Sequence, residues 1–568
     1  MNGLLRRTGD ALLQPRSTTA LLVLSSVASV TYGIWLLSWP VIAGDGAFWI
    51  FPRGTYTPGH SLNVDMADGF IGYLRFLSTP WRWDLTHVEE VLPPAGVKAA
   101  WMDMIPIVGL VAKLWRSISG SQVNLMGWYL LACFALPGVA MTGILLMSGQ
   151  RDFRAMILGT TIGLTSPWLL FRWGHPSLLA QVVIIAALLL YLYRPNAPLR
   201  IAVLWACVLL SALLTSVYFV PMVGLFLLAS LLRNCMEGQM RWWTALLHMA
   251  GILTPTLVML LLLGLVGPDV PSPKGEGYGQ YSFDLLSPLL PQMSGLVPGL
   301  SGFFLNRADG FAWLGMGGVL LVGASLTLSP SVWATALRRN WVLALLLLLC
   351  ALFAVSNRVA FGSRILFVIP LPEAVLDVAA IFRASGRMIW PCLYTLLAFA
   401  AIVFLRSTSG RRSAAVVLAL VFFQIVDTAP LRQQIRNSID VPFLPRFSPA
   451  KVGALILAST SVEAYPSYEC GEGAWPLREQ MMEANVEIQL LAARANRPIN
   501  SAYLARPIGR CAAEVAAAAI QPKPGTLRID LRPTAAMEQG VTPIMSGVCE
   551  IISGARFCLI PTRIIVDP

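Results

Sequence analysis

Three aspartates follow the first hydrophobic stretch of the chain, in residue types and spacing that suit proton chemistry: Asp65, Asp68 and Asp103. A carboxylate can accept a proton from an attacking hydroxyl or help to hold a divalent cation such as Mg²⁺ or Mn²⁺. It can also cap a helix, because the backbone N–H groups at a helix N-terminus favour negative charge. Capping and chemistry both stay open for Asp68 and Asp103, whereas Asp65 lies too early for a cap and is expected to be available for chemistry.

Basic residues at the ends of hydrophobic stretches form a second set: Arg172, His175, Arg383 and Arg387. A charge in or near the hydrocarbon core costs about 2.5 to 3.5 kcal/mol, so such residues need a partner. Because a guanidinium binds phosphate through two parallel hydrogen bonds, we expect these residues to hold a lipid phosphate at the outer leaflet. The alternative is that they reach toward lipid headgroups without binding a specific ligand.

Composition indicates which elements must position these residues. The chain has 568 residues, of which 56% are hydrophobic and 12% charged, with a mean hydropathy of +0.68. These values predict a mainly α, polytopic membrane protein, since soluble proteins carry about 25% charged residues. Stretches long enough to cross a bilayer predict about eleven spans. They lie near residues 17–43, 126–148, 155–172, 177–193, 200–217, 218–233, 243–266, 310–329, 341–357, 388–405 and 413–429.

Arginine-bearing loops alternate along these spans and predict the orientation of the chain, with the N-terminus in the cytoplasm. An odd number of spans then places the C-terminus, the first loop and the loops at 267–309 and 358–387 on the exported side. The net charge of +12 is spread through short loops, which argues against a nucleic-acid partner. The absence of an N-x-[ST] sequon favours a bacterial membrane over a eukaryotic secretory one, and we expect the bacterial inner membrane.

Two segments of the first exported loop are predicted to form helices that lie on the membrane instead of crossing it. The second has the clearer pattern, with apolar residues at helical spacing and Lys113 and Arg116 elsewhere. Its apolar residues are Met104, Ile107, Val108, Val111, Leu114, Trp115 and Ile118; those of the first segment are Phe70, Ile71, Leu74 and Leu77.

The last part of the chain changes character and predicts a domain boundary. We divide the chain into a membrane domain, 1–429, and a small exported α+β domain, 430–568, with a helix near 476–495 and strands at TLRIDL and CLIPTRIIV. This domain contains Cys470, Cys511, Cys549 and Cys558, which in an oxidising compartment predict up to two disulfides of undetermined pairing. The loop at 267–309 adds Tyr281 and Asp309 as accessory candidates.

Several blocks of the membrane region resemble the glycosyltransferase C (GT-C) superfamily, and more closely an uncharacterised family of bacterial polytopic proteins placed within it. The blocks are VDMADGFIGYLRFLSTPWRWDL, AAWMDMIPI, FRWGHPSLLAQ, YGQYSFDLLSPLLPQ, ADGFAWLGMG and FRASGRMIWP. Members of the superfamily take a sugar from a polyprenyl-phosphate donor and keep an acidic residue early in a first exported loop that has two interfacial helices. The chain departs from the closer family at two positions: Val64 replaces its usual Gly, and Asp309 its usual Glu.

The resemblance implies a membrane glycosyltransferase that moves a sugar from a polyprenyl-phosphate donor to a lipid-linked or other envelope glycan. Asp65 would be the general base, and Asp103 and Asp309 would assist. One alternative is a polymerase or ligase of lipid-linked glycans, which would not require the loop carboxylate. Another is a flippase without covalent chemistry, although the sequence has no paired broken repeats. Walker A, GxSxG and HExxH motifs are absent from the sequence, so ATP-driven transport, serine hydrolysis and zinc proteolysis have no support.

Overall fold

The computed structural model describes residues 17–44, 63–121, 123–193, 198–267, 277–297, 308–440, 444–471, 477–506, 508–532, 543 and 545–561. The alternating arginines that predict the orientation of the chain include Arg6, Arg7, Arg16 and Arg194. These four residues lie outside the described ranges. The described chain is mainly helical, as predicted, and divides into two compact units. Unit 1 comprises Met1–Gly44, Leu125–Val258 and Ser272–Arg436; unit 2 comprises Asp45–Asn124, Met259–Pro271 and Asn437–Pro568.

The helices of the first half of unit 1 fall into two groups, which the unit 2 segment Asp45–Asn124 separates along the chain. They are α1 (Thr18–Leu37), α2 (Trp39–Ala43), α5 (Met126–Met147), α6 (Phe153–Leu164), α7 (Pro167–Leu170), α8 (Val182–Leu192), α9 (Pro198–Thr215), α10 (Phe219–Met236) and α11 (Trp242–Leu262), where α3 and α4 belong to unit 2 and are given below. The second half contains α12 (Met316–Leu328), α13 (Pro330–Arg339), α14 (Trp341–Val355), α15 (Glu373–Ala379), α16 (Trp390–Ser407), α17 (Gly410–Asp427) and α18 (Ala429–Asp440).

Small residues and hydroxyls join α1, α5 and α6. A Cβ added to Gly163 of α6 would lie 2.3 Å from the carbonyl oxygen of Pro137 of α5. The backbones of α5 and α6 are therefore in direct contact. Ser25 Oγ lies 2.7 Å from Thr160 Oγ1 and 3.1 Å from Thr142 Oγ1. This is the packing expected between membrane helices, where close van der Waals contact and interhelical hydrogen bonds replace the hydrophobic effect.

The prediction of eleven spans is wrong for the described chain. Six helices are long and apolar enough to cross a membrane, and up to eight spans result if each of two bent pairs counts as one. The six are Thr18–Leu37, Met126–Met147, Pro198–Thr215, Phe219–Met236, Trp242–Leu262 and Ser385–Ser407; the bent pairs are α12 with α13, at 94°, and α17 with α18, at 44°. These helices are compatible with a multi-pass membrane protein.

Proline and polar residues explain the spans that were overcounted. The stretch predicted at 155–172 breaks after Leu164, because Ser166 precedes Pro167 and adopts extended ψ. The stretch at 177–193 begins with a short 3₁₀ turn at Pro176–Leu178, and its helix α8 has 11 residues. The stretch at 341–357 ends at Val355, where Ser356 has φ +67°. Hydropathy alone does not register these breaks.

A hairpin follows α14 in unit 1, made of antiparallel strands β3 (Arg358–Phe361) and β4 (Arg364–Val368). Asp284 holds it in place: its Oδ1 accepts a hydrogen bond from the Gly362 N–H at 3.0 Å, and the Leu285 N–H donates to the Ala360 carbonyl at 3.1 Å. The hairpin is therefore fixed to the preceding loop of the same unit. Strands β1 (His87–Val88) and β2 (Val97–Lys98), which precede this hairpin in the chain, form a short antiparallel pair in unit 2.

The two predicted interfacial segments form helices in unit 2, α3 (Val64–Ser78) and α4 (Pro106–Ser119). Helix α4 exposes the apolar stripe Val111, Leu114, Trp115 and Ile118, as a membrane-surface helix requires. Helix α3 does not have the predicted exposed apolar face, because 11 of its 15 residues are buried and the other four are half-buried. Even Arg75 on α3 is fully buried and donates a 2.7 Å hydrogen bond to the carbonyl of Arg497.

The end of the chain forms the predicted α+β fold within unit 2. Its helices are α19 (Pro449–Ala458), α20 (Leu477–Arg494) and α21 (Cys511–Ala518), and its strands are β5 (Ser461–Tyr465), β6 (Thr526–Asp530), β7 (Val548–Ile552) and β8 (Ala555–Leu559). The sheet order is β5-β6-β8-β7, parallel between β5 and β6 and antiparallel elsewhere. Alternating residues of β5, β6 and β8 and one face of α19 and α20 supply the core: Val452, Ile456, Val462, Ala464, Ile488, Leu527, Ile529 and Phe557.

The four cysteines of this region form two disulfides, Cys470–Cys511 and Cys549–Cys558. The sequence predicts the bonds but not the pairing. The second bond is possible because Cys549 and Cys558 face each other in the β7–β8 register.

Candidate functional site

The N-terminus of α3 decides how the first two aspartates are placed. The side chain of Asn63 accepts a hydrogen bond from the Met66 N–H at 3.3 Å, so the helix begins at Val64. Asp65 therefore lies in the first turn, and Asp68 lies one turn further on the same face. The capping interpretation of Asp68 is wrong, because Asn63 is the cap and Asp68 is inside the helix.

Two glycines on that face bring Asp103 close. A Cβ on Gly69 would lie 3.1 Å from the Asp103 carbonyl oxygen, and one on Gly72 would lie 3.0 Å from Met102 Cβ. The segment before α4 consequently packs directly on α3. Asp103 has φ +51°, a left-handed conformation that aspartate tolerates better than most residues. The N-cap position of α4 is Ile105, so Asp103 does not cap that helix either.

The resulting group of Asp65, Asp68 and Asp103, here called the acidic cluster, favours a bound proton. Asp68 is 2% exposed, and within the described ranges its Oδ1 has no hydrogen-bond partner. Burial, followed by the charges of Asp103 and Asp65, raises the pKa of the Asp68 carboxyl well above its ordinary value. Neighbouring carboxylates in a buried setting do not all ionise, since each charge disfavours the next. The raised pKa favours the protonated form of Asp68, which reduces the negative charge beside Asp65 and Asp103.

A tyrosine from the C-terminal part of unit 2 completes the cluster. The hydroxyl of Tyr503 donates a hydrogen bond to Asp65 Oδ1 at 3.0 Å. The ring of Tyr468 stacks on that of Tyr503 at 4.4 Å, and the Ala505 N–H donates to the Trp101 carbonyl at 2.8 Å. Burial and then the charge of Asp65 raise the pKa of the Tyr503 hydroxyl far above its usual value, so it remains a donor.

Sequence reasoning missed Tyr503 and Tyr468. No local pattern marks them, because Tyr503 lies 438 positions from Asp65 and in a segment that was assigned to a separate domain. The nearest sequence signal is the Cys470–Cys511 pair that encloses this segment, and its pairing is not predictable from spacing.

A second group of candidates meets in unit 1, here called the arginine cluster: Arg172, Arg387 and Asp309. Arg172 Nη1 lies 2.9 Å from Asp309 Oδ1, and Arg387 Nε lies 2.8 Å from the same oxygen. All three side chains are largely buried, with Arg172 at 3% exposure. Asp309, predicted as an accessory to the loop aspartates, is instead the shared carboxylate of two predicted phosphate ligands.

Glycines again permit the approach. A Cβ on Gly386 would lie 2.7 Å from Gly310 Cα, so the 3₁₀ turns Ala308–Gly310 and Ser385–Ile389 touch at the backbone. The Gly386 N–H also donates to the Tyr281 carbonyl at 2.9 Å. Tyr281 thus contributes its backbone here, while its side chain is 39% exposed.

Aromatic rings and opposing charges set the electrostatics of the arginine cluster. The guanidinium carbon of Arg387 lies 4.7 Å from the centre of the Tyr218 ring. Burial by itself raises the pKa of Asp309, but the charges of Arg387, Arg172 and His175 lower it by more, so the pKa lies below its ordinary range. One negative and two positive side chains leave a charge of +1 on these three residues, which suits an anion.

The other two predicted phosphate ligands, His175 and Arg383, have different surroundings from Arg172 and Arg387. His175 contributes to the field at Asp309, and its backbone precedes the Pro176–Leu178 turn. Arg383 is exposed, and its side chain lies against Gly277, where a Cβ would be 3.1 Å from Arg383 Cβ. The structure therefore brings Arg172, Arg387 and Asp309 into direct contact and leaves Arg383 at the surface.

Asp65 and Asp103 are also the predicted ligands of a divalent cation, if the protein binds one. Over the ranges that the structure describes, no group of three or more His, Cys, Asp or Glu side chains is arranged to hold a metal ion.

Comparison with known families adds one match. A family model described as a domain of unknown function (DUF6311) matches residues 26–429. This range contains both the acidic cluster and the arginine cluster, but it ends before the segment that carries Tyr468 and Tyr503. A search of curated proteins found no match to the chain.

Proposed function

The chain belongs to the family of the domain of unknown function DUF6311. We propose that it is an integral membrane glycosyltransferase. It transfers a sugar from a polyprenyl-phosphate donor to a lipid-linked glycan or another envelope acceptor on the exported face of a bacterial inner membrane. The resemblance of its first loop to the GT-C superfamily supports this activity. The observation that carries the proposal is the acidic cluster, in which a half-buried Asp65 is held by Tyr503 beside the buried Asp68.

In the proposed reaction Asp65 is the general base. The acceptor hydroxyl gives its proton to the Asp65 carboxylate while its oxygen forms a bond to the anomeric carbon of the donor sugar. The bond between that carbon and the phosphate oxygen breaks, and the polyprenyl phosphate leaves with the electron pair. The hydrogen bond from Tyr503 and the protonation of Asp68 both favour the ionised, proton-accepting form of Asp65.

The arginine cluster is proposed to bind the anionic phosphate of a lipid. Asp309 orients Arg172 and Arg387 through its two ion pairs, and the +1 charge of the three residues attracts an anion. His175 and Arg383 extend the proposed set, with Arg383 at its exposed side. This role is tested separately from that of Asp65.

The test of the activity is release of polyprenyl phosphate from labelled undecaprenyl-phosphate hexoses by the purified chain in nanodiscs. We expect Asp65→Asn to lower turnover by about a hundredfold to ten-thousandfold, because the amide has the shape of the carboxylate but does not accept the proton. The matched control is Asp84→Asn, a half-buried aspartate of the same unit that pairs with Lys98.

The outcomes separate the possible roles. Loss of turnover in Asp103→Asn but not in Asp65→Asn would exchange the roles of the two aspartates. Full turnover in both variants would remove the main support for a glycosyltransferase. Movement of labelled lipid across the bilayer without release of polyprenyl phosphate would favour a flippase.

A further inference from the structure

The hairpin β3–β4 has an apolar strand that is exposed on both of its faces. All five residues of β4 are exposed, and its side chains Ile365 and Phe367 point to one face while Leu366 and Val368 point to the other. In an antiparallel pair that meets water, one face is normally polar. Exposed fractions of 53 to 55% for Leu366, Phe367 and Val368 therefore indicate that the surroundings of this strand are apolar on both sides.

The hairpin is also held in a defined position. Its turn is tied to Asp284 through the Gly362 N–H, and the Phe283 N–H donates to the Ala354 carbonyl at 2.8 Å. The Ile369 N–H closes the open end by donating to the Asn357 carbonyl at 2.8 Å. Among the residues that the structure describes, β4 pairs with β3 alone, and a fixed strand with apolar side chains and an open edge is a risk for aggregation unless something covers it.

The chain on either side of the hairpin shows what covers it. Helix α14, which leads into β3, exposes Leu345, Leu348, Leu349 and Leu352, and the candidate membrane span Ser385–Ser407 follows. Fifteen residues of α14 extend about 22 Å, which is shorter than the hydrocarbon core of about 30 Å. Helix α15, which follows the hairpin in the chain, also exposes the apolar residues Val375 and Val378.

The open edge of β4 indicates how deep the hairpin lies in the bilayer. Strand edges that face lipid do not occur in the hydrocarbon core, because their N–H and C=O groups would have no partners there. At the boundary between headgroups and acyl chains, water and headgroup oxygens can satisfy these groups while apolar side chains are still covered. Arg364, at the start of β4 and exposed, is placed to reach lipid phosphates.

We propose that the segment Arg358–Ala379 is a membrane-surface element, whose strand β4 and helix α15 lie in the boundary layer of a phospholipid bilayer beside the spans of unit 1. The occupant of the exposed apolar surface is lipid. This inference does not depend on the proposed glycosyltransferase activity.

The test measures the depth of single sites in lipid nanodiscs that hold one chain each. Leu366→Cys and Val375→Cys are labelled with the fluorophore NBD in a background in which the exposed thiol of Cys207 is replaced by serine. The matched control is Ile520→Cys, another exposed apolar position, in unit 2. Phosphatidylcholine and phosphatidylglycerol discs carry spin-labelled lipids, with the quencher either in the headgroup layer or near the end of the acyl chain.

We expect blue-shifted emission and stronger quenching by the headgroup-layer label than by the deep label at Leu366 and Val375, and weak quenching at Ile520. Unquenched emission at both test sites would overturn the proposal. Stronger quenching by the deep label would place the hairpin in the hydrocarbon core and overturn the boundary assignment. The same labels are also measured in discs that hold two chains. A blue shift that arises only in those discs would assign the surface to a second copy of the chain and would overturn the proposal.

Discussion

The hydroxyl of Tyr503 donates a hydrogen bond of 3.0 Å to the carboxylate of Asp65, across 438 positions of sequence. Both residues lie in unit 2, which combines the loop after the first span with the C-terminal segment. The C-terminal segment therefore contributes a residue to the acidic cluster.

We expect Tyr503→Phe to destabilise unit 2 and to weaken the ionised form of Asp65. A hydrogen bond to a charged group contributes about 1.5 to 3 kcal/mol, and phenylalanine keeps the stacking on Tyr468 while it removes only the hydroxyl. The measurements are the midpoint of thermal unfolding and the pH dependence of turnover, whose acidic limb should move to higher pH. An unchanged midpoint together with an unchanged acidic limb would show that this hydrogen bond has no role.

Asp68→Asn should make the protein relatively more stable as pH rises. Because the pKa of Asp68 is raised in the folded state, the folded chain binds more protons than the unfolded chain between the two pKa values. Stability from this group is complete below the unfolded pKa of about 3.9 and falls by about 1.4 kcal/mol per pH unit up to the folded pKa. The midpoint of the variant minus that of the wild type should increase over this window; a constant difference would contradict the assigned shift.

Asp309→Asn should be strongly destabilising, because it leaves the buried guanidiniums of Arg172 and Arg387 side by side without their shared carboxylate. Removing one partner of a buried ion pair typically costs about 3 to 5 kcal/mol. The control is Glu550→Gln, which breaks the exposed Lys451–Glu550 pair and should cost less than about 1 kcal/mol. Equal losses of unfolding free energy in the two variants would show that burial of the arginine cluster has no energetic consequence.

Peptide mapping without reductant should recover the pairs Cys470–Cys511 and Cys549–Cys558. In the chain-entropy model the first bond, which spans 41 positions, stabilises by about 4 kcal/mol, and the second, which spans 9, by about 2.5 kcal/mol. Replacing Cys511 with serine should accordingly lower the unfolding midpoint more than replacing Cys549. Recovery of four free thiols from protein purified without reductant would contradict both bonds.

We expect the C-terminus to lie on the exported side of the membrane, and the two disulfides are the reason. The odd count of spans no longer supports an exported C-terminus, since six helices, or up to eight spans with the bent pairs, are long enough to cross. The disulfides supply a separate reason, because such bonds persist in oxidising compartments. A cysteine at Leu457, which is exposed on α19, should react with an impermeant reagent added to intact spheroplasts; labelling only after lysis would place this region in the cytoplasm.

The sequence alone was sufficient wherever a signal is local. Continuous hydropathy predicted the long helices such as Met126–Met147, and the change of composition near residue 430 predicted the small α+β region with its helix at Leu477–Arg494. The even number of cysteines in that region predicted its disulfides. The chemical candidates Asp65, Arg172 and Arg387 were likewise visible, because charged residues are uncommon in so apolar a chain.

Tertiary packing decided what depends on residues that are distant in sequence. It paired Tyr503 with Asp65, and it placed Asp309 between two arginines instead of with the loop aspartates. It also buried Asp68 inside α3 where a cap was expected, because Asn63 starts the helix earlier and Gly69 admits the segment that carries Asp103. Hydropathy and residue spacing report the preference of each segment separately, whereas burial, ion pairs and proton affinity arise only when the segments are packed together.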